Sequence, residues 1–304
     1  MKKALNILLL AGCLGTTAPQ AQQQSWTGLL SDDRCAASHQ ALASARGLTD
    51  RQCMFECIKA LAKYVLVDGN GQVIPIKNQD LPGLPLYLGR PVRLSGTKVG
   101  DALVVSRVEA IAAHLHLGHV MTNWRDTPQN VGFLTAAISD ANVGAIHAKL
   151  ALQATDDLAA MKLHAGHVLH ALDPSIEPRG PASGYGVKKA ATGALQHLDF
   201  AVQGEGSTAN IKMHATHVSA SLNNVLQWTE RATAIAQQIR SADAAGPAAA
   251  LLTELVSLTT AITDGKDANN DGQVGWQSGE GGLQQAQMHM ALLMKGEGLE
   301  NAPR

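Results

Sequence analysis

Residues 143–172 read VGAIHAKLALQATDDLAAMKLHAGHVLHAL, and residues 193–222 repeat the pattern as GALQHLDFAVQGEGSTANIKMHATHVSASL. The two copies align without a gap and are identical at a third of their positions. Within each copy, apolar residues recur at helical spacing on both sides of a short polar break, which predicts a helix hairpin. The repeat therefore predicts an all-α helical bundle built on an internal 50-residue helix-hairpin repeat.

Three histidines keep their places in both copies. The first helix of each hairpin contributes one histidine, and the second contributes a pair spaced three residues apart, which lie about 60° apart around the helix. Neutral imidazole is the commonest metal ligand, and bundle cores are common metal and haem sites. An earlier pair, His116-x2-His119, partly echoes the pattern. We therefore predict that two packed hairpins bring together as many as six imidazoles: His147, His164, His167, His197, His214 and His217.

Several cofactors and roles suit such a cluster. The expected occupant is copper, zinc or iron, or b-type haem held by imidazoles from two helices. The sequence lacks Glu-x2-His, which argues against a carboxylate di-iron oxidase, and it lacks Cys-x2-Cys-His, which excludes covalent c-type haem.

Few acidic residues lie near the histidines, so metal binding is favoured over catalysis. An enzyme or redox protein using the same metal is the alternative, and a structural protein binding only calcium is the third. The repeated histidines could equally satisfy local hydrogen bonds in the core.

Residues 267–274 read DANNDGQV and resemble the first eight positions of an EF-hand loop. The resemblance implies calcium held by alternating side-chain oxygens and one backbone carbonyl, with Gly272 at the sharp turn. Position twelve holds Ser278 instead of the usual glutamate, and a glutamate two residues later is the expected substitute. A single loop of this kind is expected to stabilise the last helix hairpin. The predicted calcium ligands are Asp267, Asn269, Asp271, Gln273 and Glu280.

The amino terminus, residues 1–24, is typical of bacterial secretion. Two lysines precede a short apolar run that is too short to span a bilayer. Leu10-Ala11-Gly12-Cys13 resembles the lipobox of bacterial lipoproteins. The resemblance implies cleavage before Cys13 and a lipid on its sulfur, hence a periplasmic or outer-membrane lipoprotein that meets the membrane only through its anchor. The alternative is an ordinary signal cut near Ala21, which leaves a soluble periplasmic or secreted protein.

Residues 25–112 read as a small β-rich domain. Five short strands and one helix at residues 49–63 predict an OB-like β-barrel. The segments WTGLLSD at 26–32 and AKYVLV at 62–67, with the cysteines between them, resemble a small exported bacterial domain that serves as an accessory module. The predicted strands are residues 26–30, 64–67, 72–76, 91–96 and 102–108.

Cysteines of this domain carry a second candidate site. Cys53 and Cys57 lie four residues apart on the predicted helix and face the same side. Cys35 could form a disulfide with either of them, which leaves one spare thiol. Alternatively, Cys35 and His39 could join the pair to supply four ligands for zinc or copper.

The whole chain is thus expected to be an α+β protein in three parts: residues 1–24, 25–112 and 113–304. Its net charge is −1 and no basic stripe occurs, so nucleic acid is not an expected partner, whereas metal ions are. The sequence does not identify a protein partner. The helices predicted in the last part are residues 135–153, 156–172, 187–203, 208–242, 247–263 and 281–295.

Overall fold

The computed structural model of the chain describes residues 23–299. The predicted signal, the lipobox and Cys13 lie outside the described residues. The chain divides into two compact units, Met1–Glu109 and Ala110–Arg304, which we call the strand unit and the helical unit. Strands followed by a helical bundle give the α+β composition expected from the sequence.

The strand unit is a five-stranded sheet with the order β3-β2-β1-β4-β5. β1 pairs antiparallel with both β2 and β4, and β2 pairs antiparallel with β3. Just beyond β3, Ile76 forms a parallel bridge with Leu103, and the Lys77 N–H donates to the Leu103 carbonyl at 2.7 Å, so the two outer strands approach each other. The strands are β1 (Gln24–Asp32), β2 (Tyr64–Val67), β3 (Val73–Pro75), β4 (Pro91–Val99) and β5 (Ala102–Ala110).

Two glycines permit close approach within this sheet. A Cβ atom on Gly28 would lie 2.3 Å from the Val67 carbonyl oxygen, and one on Gly96 would lie 2.1 Å from the Val104 carbonyl oxygen. Either position therefore excludes a side chain unless a neighbouring strand moves.

Three helices accompany the sheet: α1 (Gln40–Ala45), α2 (Asp50–Lys59) and α3 (Gly83–Tyr87). Thr49 begins α2 with a capping box, since its hydroxyl accepts from the Gln52 N–H while the Gln52 side chain accepts from the Thr49 N–H. The helix predicted to reach residue 63 ends at Lys59, because Leu61 adopts a positive φ of 67°. The short helices α1 and α3 were not predicted.

Among the described residues, the helical unit contains a 3-10 helix at Pro128–Asn130 and seven α-helices: α4 (Ala112–Met121), α5 (Phe133–Gln153), α6 (Leu158–Leu172), α7 (Val187–Gln203), α8 (Ala209–Ser241), α9 (Ala245–Asp264) and α10 (Leu283–Gly296). Side chains of Asp157 and Thr208 cap α6 and α8. α5 packs against α6, and α8 packs against α9, as short connections between antiparallel neighbours require.

An alanine-rich core holds these helices together. Buried alanines such as Ala148, Ala194 and Ala215 allow neighbouring helices to approach closely. α9 is, among the described helices, the one long and apolar enough to cross a membrane by length and composition. Within the unit it buries Leu252 and Leu255 in the shared core and packs against α5 and α8.

Candidate metal centres

Nine of the twelve histidines gather in three groups of three. In each group, two histidines lie three residues apart on one helix and the third comes from a neighbouring helix. The side-chain nitrogens of each group lie within 4.8 Å of one another. We call the groups the first triad (His116, His119, His197), the second triad (His147, His164, His167) and the third triad (His214, His217, His289).

The first triad joins α4 to α7. The Nδ1 atom of His197 lies 3.0 Å from His116 Nδ1 and 3.1 Å from His119 Nδ1. Aromatic rings surround it: the Trp124 ring centroid lies 4.8 Å from that of His119, and Phe133 lies 5.2 Å from His197. Burial, with repulsion from the two neighbouring imidazoles, lowers the pKa of His197 to about 4.

The second triad joins the two helices of the first repeat copy, α5 and α6. The Nδ1 atom of His147 lies 3.0 Å from His164 Nδ1 and 3.3 Å from His167 Nδ1. All three side chains are half-buried. Burial lowers the pKa of His147 and of His167, and the charges of neighbouring imidazoles add to the effect.

The second triad also borders an open cavity of about 510 Å³. His167 lines it, together with the basic side chains of Lys162, Arg179 and Arg240. Arg240 forms an ion pair with Glu177, which lines the same cavity. The lining therefore carries more positive than negative charge.

The third triad joins α8 to α10. The Nδ1 atom of His289 lies 3.3 Å from His214 Nδ1 and 3.4 Å from His217 Nδ1. The indole of Trp276, from the loop between α9 and α10, stacks on His217 with ring centroids 4.0 Å apart. Burial lowers the pKa of His217 and of His289.

The nitrogen spacing in all three triads suits a single metal ion. Ligands about 2.0–2.1 Å from a tetrahedral zinc ion lie about 3.3 Å apart, close to the spacings of 3.0–3.4 Å observed here. Hydrogen bonding alone satisfies the arrangement poorly, since the central Nδ1 of each triad carries either one proton or one lone pair and faces two other nitrogens. A porphyrin has no room between nitrogens this close, so the geometry favours a bare ion over haem.

The three remaining histidines have conventional polar partners. His114 Nε2 lies 2.8 Å from Glu297, His170 Nδ1 lies 2.9 Å from the Glu177 carbonyl, and His39 Nε2 lies 3.0 Å from the Ser31 hydroxyl. Each of these three imidazoles lies against an oxygen atom. In the triads, by contrast, imidazole nitrogens lie against one another.

The six histidines predicted to form a shared cluster do not converge on one place. His147 does meet His164 and His167, its partners within the first copy. His197 does not meet His214 and His217, because α7 packs its histidine against α4 while α8 turns its pair toward α10. In the first copy, the histidine of the first helix therefore meets the histidine pair of the second helix. In the second copy, the corresponding histidines meet partners from outside the repeat.

Three histidines of the observed triads were not among the six predicted from the repeat: His116, His119 and His289. His116 and His119 were visible as an echo of the paired spacing, although no helix was predicted around them. His289 stands alone in α10, outside both copies, and no sequence signal connects it with α8.

The loop between α9 and α10 contains the residues predicted to bind calcium. Asp267 accepts the N–H groups of Asp271 and Gly272 at 3.2 and 2.9 Å, and Asn269 Oδ1 accepts the Asp271 N–H at 2.8 Å. Gly272 adopts the expected positive φ, at 85°. Glu280 is buried, and its carboxylate accepts the Gly275 N–H at 3.0 Å.

This loop is also attached to α8. The side chain of Asn224 donates to the carbonyls of Gln277 and Gly281 and accepts the Gly279 N–H at 2.7 Å. Asn224 lies two turns beyond His217, so the same connection places Trp276 over the third triad.

The cysteines of the strand unit form a fourth group. The sulfurs of Cys35, Cys53 and Cys57 lie within 4.8 Å of one another. Burial raises the pKa of each thiol. His39 is not a member of the group, because its imidazole is directed to Ser31 and lies 3.4 Å from the Asp32 carboxylate.

The three histidine triads and the cysteine group could each hold a metal ion, through nitrogen ligands in the triads and sulfur ligands in the cysteine group. Three protein ligands leave a tetrahedral ion one further position, which water or an exogenous ligand can take. Compared with models of known protein families, with curated proteins and with solved structures, the chain matches none of them.

Proposed function

We propose that this protein binds three transition-metal ions in its helical unit, one in each histidine triad. The single observation that carries the proposal is the triple recurrence of one constellation, with six Nδ1–Nδ1 spacings between 3.0 and 3.4 Å. Three imidazoles suit zinc or copper best, and they also accept iron or nickel.

Metal analysis of single-histidine variants tests this proposal. The central residues His147, His197 and His289 are each replaced by alanine in the full chain, and bound zinc is counted after removal of excess ion. Each variant should lose one ion per chain relative to the wild type. The matched control is His170→Gln, whose parent histidine contacts a backbone carbonyl, and it should lose none. Wild-type zinc content in all three alanine variants would reject the proposal.

We further propose that the loop of residues 267–280 binds calcium and stabilises the α9–α10 hairpin. Its alternating oxygens and the positive φ of Gly272 support this role. The buried Glu280 carboxylate is the expected substitute for the missing ligand at position twelve. Since the loop is attached to α8 through Asn224, calcium there would also hold Trp276 in place.

The export proposal rests on residues 1–13, with their lysines, apolar run and lipobox-like ending. A lipid on Cys13 would place the metal sites at a bacterial envelope, where they would serve metal handling or sensing. Mass spectrometry of the mature amino terminus tests it. A diacylated Cys13 supports the lipid anchor. An unlipidated terminus near residue 22 rejects the anchor but still indicates a cleaved export signal.

An OB-like barrel is our proposal for the strand unit. The strand order and the parallel bridge between Ile76 and Leu103 support it, since closure of a five-stranded sheet needs its outer strands to meet. Such a barrel would serve as an accessory module of the metal-binding protein.

The second triad supports one alternative function, a catalytic centre. Its ion would face an open cavity with a basic lining, which suits an anionic substrate at the free coordination position. Cobalt-loaded protein provides the test, because its visible spectrum reports ligand exchange. Inorganic phosphate should shift the spectrum, and His147→Ala should abolish that shift. A spectrum insensitive to phosphate removes the catalytic alternative.

A further inference from the structure

A group of three cysteines lies in the strand unit and shares no residue with the histidine triads. Cys53 and Cys57 are one turn apart on α2, so their sulfurs project from the same face. Cys35 approaches them from the turn that follows β1. The three sulfurs converge within 4.8 Å, which places all of them within reach of one ion.

The surroundings of the sulfurs are apolar. Cys53 and Cys57 are 0% and 4% exposed and form a small core of their own with Ala43, separate from the main core of the sheet. Leu48 and Ala62 pack partly buried against this core. Cys35 is itself only partly buried against this core, so an ion held by the three sulfurs would be largely, but not fully, shielded from water.

Two polar side chains lie beside this core. Each hydrogen-bonds to another group through one atom, while Asp32 Oδ2 and His39 Nδ1 are buried without a hydrogen-bond partner. Asp32 Oδ1 accepts the N–H groups of Arg34 and Cys35 at 2.9 and 3.2 Å. His39 is directed to Ser31 at 3.0 Å. The site therefore offers three sulfur ligands and no imidazole or carboxylate within the group.

We propose that Cys35, Cys53 and Cys57 bind one Cu(I) ion through three thiolates. Soft thiolates select Cu(I), zinc and iron–sulfur clusters, and structural zinc sites almost always have four protein ligands. Three sulfur ligands without a fourth protein ligand therefore suit monovalent copper better than zinc. Binding breaks three S–H bonds and forms three S–Cu bonds, the protons pass to solvent, and no electron is transferred. The site differs in ligand chemistry from the triads and goes beyond the function proposed for them.

X-ray absorption at the copper edge tests the assignment on the wild-type chain. The reduced full-length protein is loaded anaerobically with one equivalent of Cu(I). The result expected is a coordination shell of three sulfurs. A shell made only of nitrogen would overturn the proposal, because it would place copper in the histidine triads.

Cysteine variants provide a second test, together with a check for disulfides in the isolated protein. Cys53→Ser and Cys57→Ser should weaken Cu(I) binding at least about a hundredfold in competition with a chromophoric Cu(I) chelator, as expected when a ligand is lost. Met54→Leu, which replaces a neighbouring buried sulfur on the same helix, is the matched control and should leave the affinity unchanged. Undiminished Cu(I) affinity in both serine variants would overturn the proposal. A disulfide between two of these cysteines in protein isolated without reductant would overturn it as well. If a serine variant fails to fold, the absorption measurement on the wild-type chain decides.

Discussion

At the scale of the residue, the triads depend on imidazoles that stay neutral in a partly buried setting. Burial and mutual repulsion lower the pKa of several of them, most of all His197, and a neutral imidazole is the form that binds metal. His170 and His114 have partners of another kind, a backbone carbonyl and a carboxylate. Histidine therefore occurs in two settings in this chain, distinguished by whether another imidazole nitrogen lies opposite it.

The lowered pKa of His197 predicts how the metal-free protein responds to acid. The folded pKa, about 4, lies below the ordinary value of 6.5, so the unfolded state binds more protons between these two values. The free energy of unfolding should therefore fall as pH decreases from about 6.5 to 4, by up to about 1.4 kcal/mol per pH unit for this one group. Urea unfolding across this range measures the slope. His197→Gln should show a shallower slope, and an identical slope in the variant would contradict the assignment.

The stack of Trp276 on His217 predicts a fluorescence signal for the third triad. Cu²⁺ held beside an indole should quench its emission. Trp124 borders the first triad, so the experiment uses a His197→Ala background in which that site is removed. Added Cu²⁺ should still quench emission in this background, and adding Trp276→Phe should remove most of the response. Equal quenching with and without Trp276 would show that copper binds elsewhere.

At the scale of the element, much of the helical unit was readable from the sequence. The predicted helix 187–203 has the bounds of α7, and the other helices predicted in the helical unit differ from those observed by two residues or fewer at each end. Caps and glycine or proline breaks set these limits, and both are local signals. α4 was missed, although it carries His116 and His119, because it is short and follows the last strand almost directly.

Pairing between elements was less predictable. The i,i+3 spacing of each histidine pair follows from the helix itself, but the partner helix depends on packing across the unit. His147 meets the pair nearest in sequence, whereas His197 meets α4 and His289 meets α8. These contacts join residues 72–81 positions apart, and no local pattern encodes them. The order of the strands was likewise not predicted.

The loop between α9 and α10 predicts calcium-dependent stability. Asp267→Ala should abolish the rise in melting temperature that calcium produces, because it removes the first carboxylate of the loop. At a hundredfold excess of calcium over the dissociation constant, the wild type should gain about 2.7 kcal/mol in its free energy of unfolding. Asp243→Ala is the matched control, since Asp243 is exposed in the connection between α8 and α9. If calcium leaves wild-type melting unchanged relative to chelator-treated protein, the calcium assignment is wrong.

At the scale of the whole molecule, three triads share one bundle without sharing a ligand or a pair of helices. Each ion would tie two helices together, α4 to α7, α5 to α6 and α8 to α10. Metal binding should therefore stabilise the bundle as a set of separate cross-links. The cysteine group lies in the other unit, so its occupancy should not affect them.

Separate cross-links predict additive stabilisation by zinc. At a free zinc concentration a hundredfold above the dissociation constant, each triad should add about 2.7 kcal/mol to the free energy of unfolding. Removing one triad through His147→Ala or His289→Ala should remove one such increment, and the double variant should lose two. Chemical denaturation with and without zinc measures these increments. Loss of all stabilisation in a single variant would instead indicate one shared site.

The most direct test of the three-site claim is a crystal structure of the zinc-loaded chain with data collected at the zinc absorption edge. If each triad binds one ion, three anomalous peaks are expected in the helical unit, one per triad, each about 2.0–2.1 Å from three histidine nitrogens. Anomalous peaks confined to other positions, with the triads left without zinc, would contradict the three-site claim.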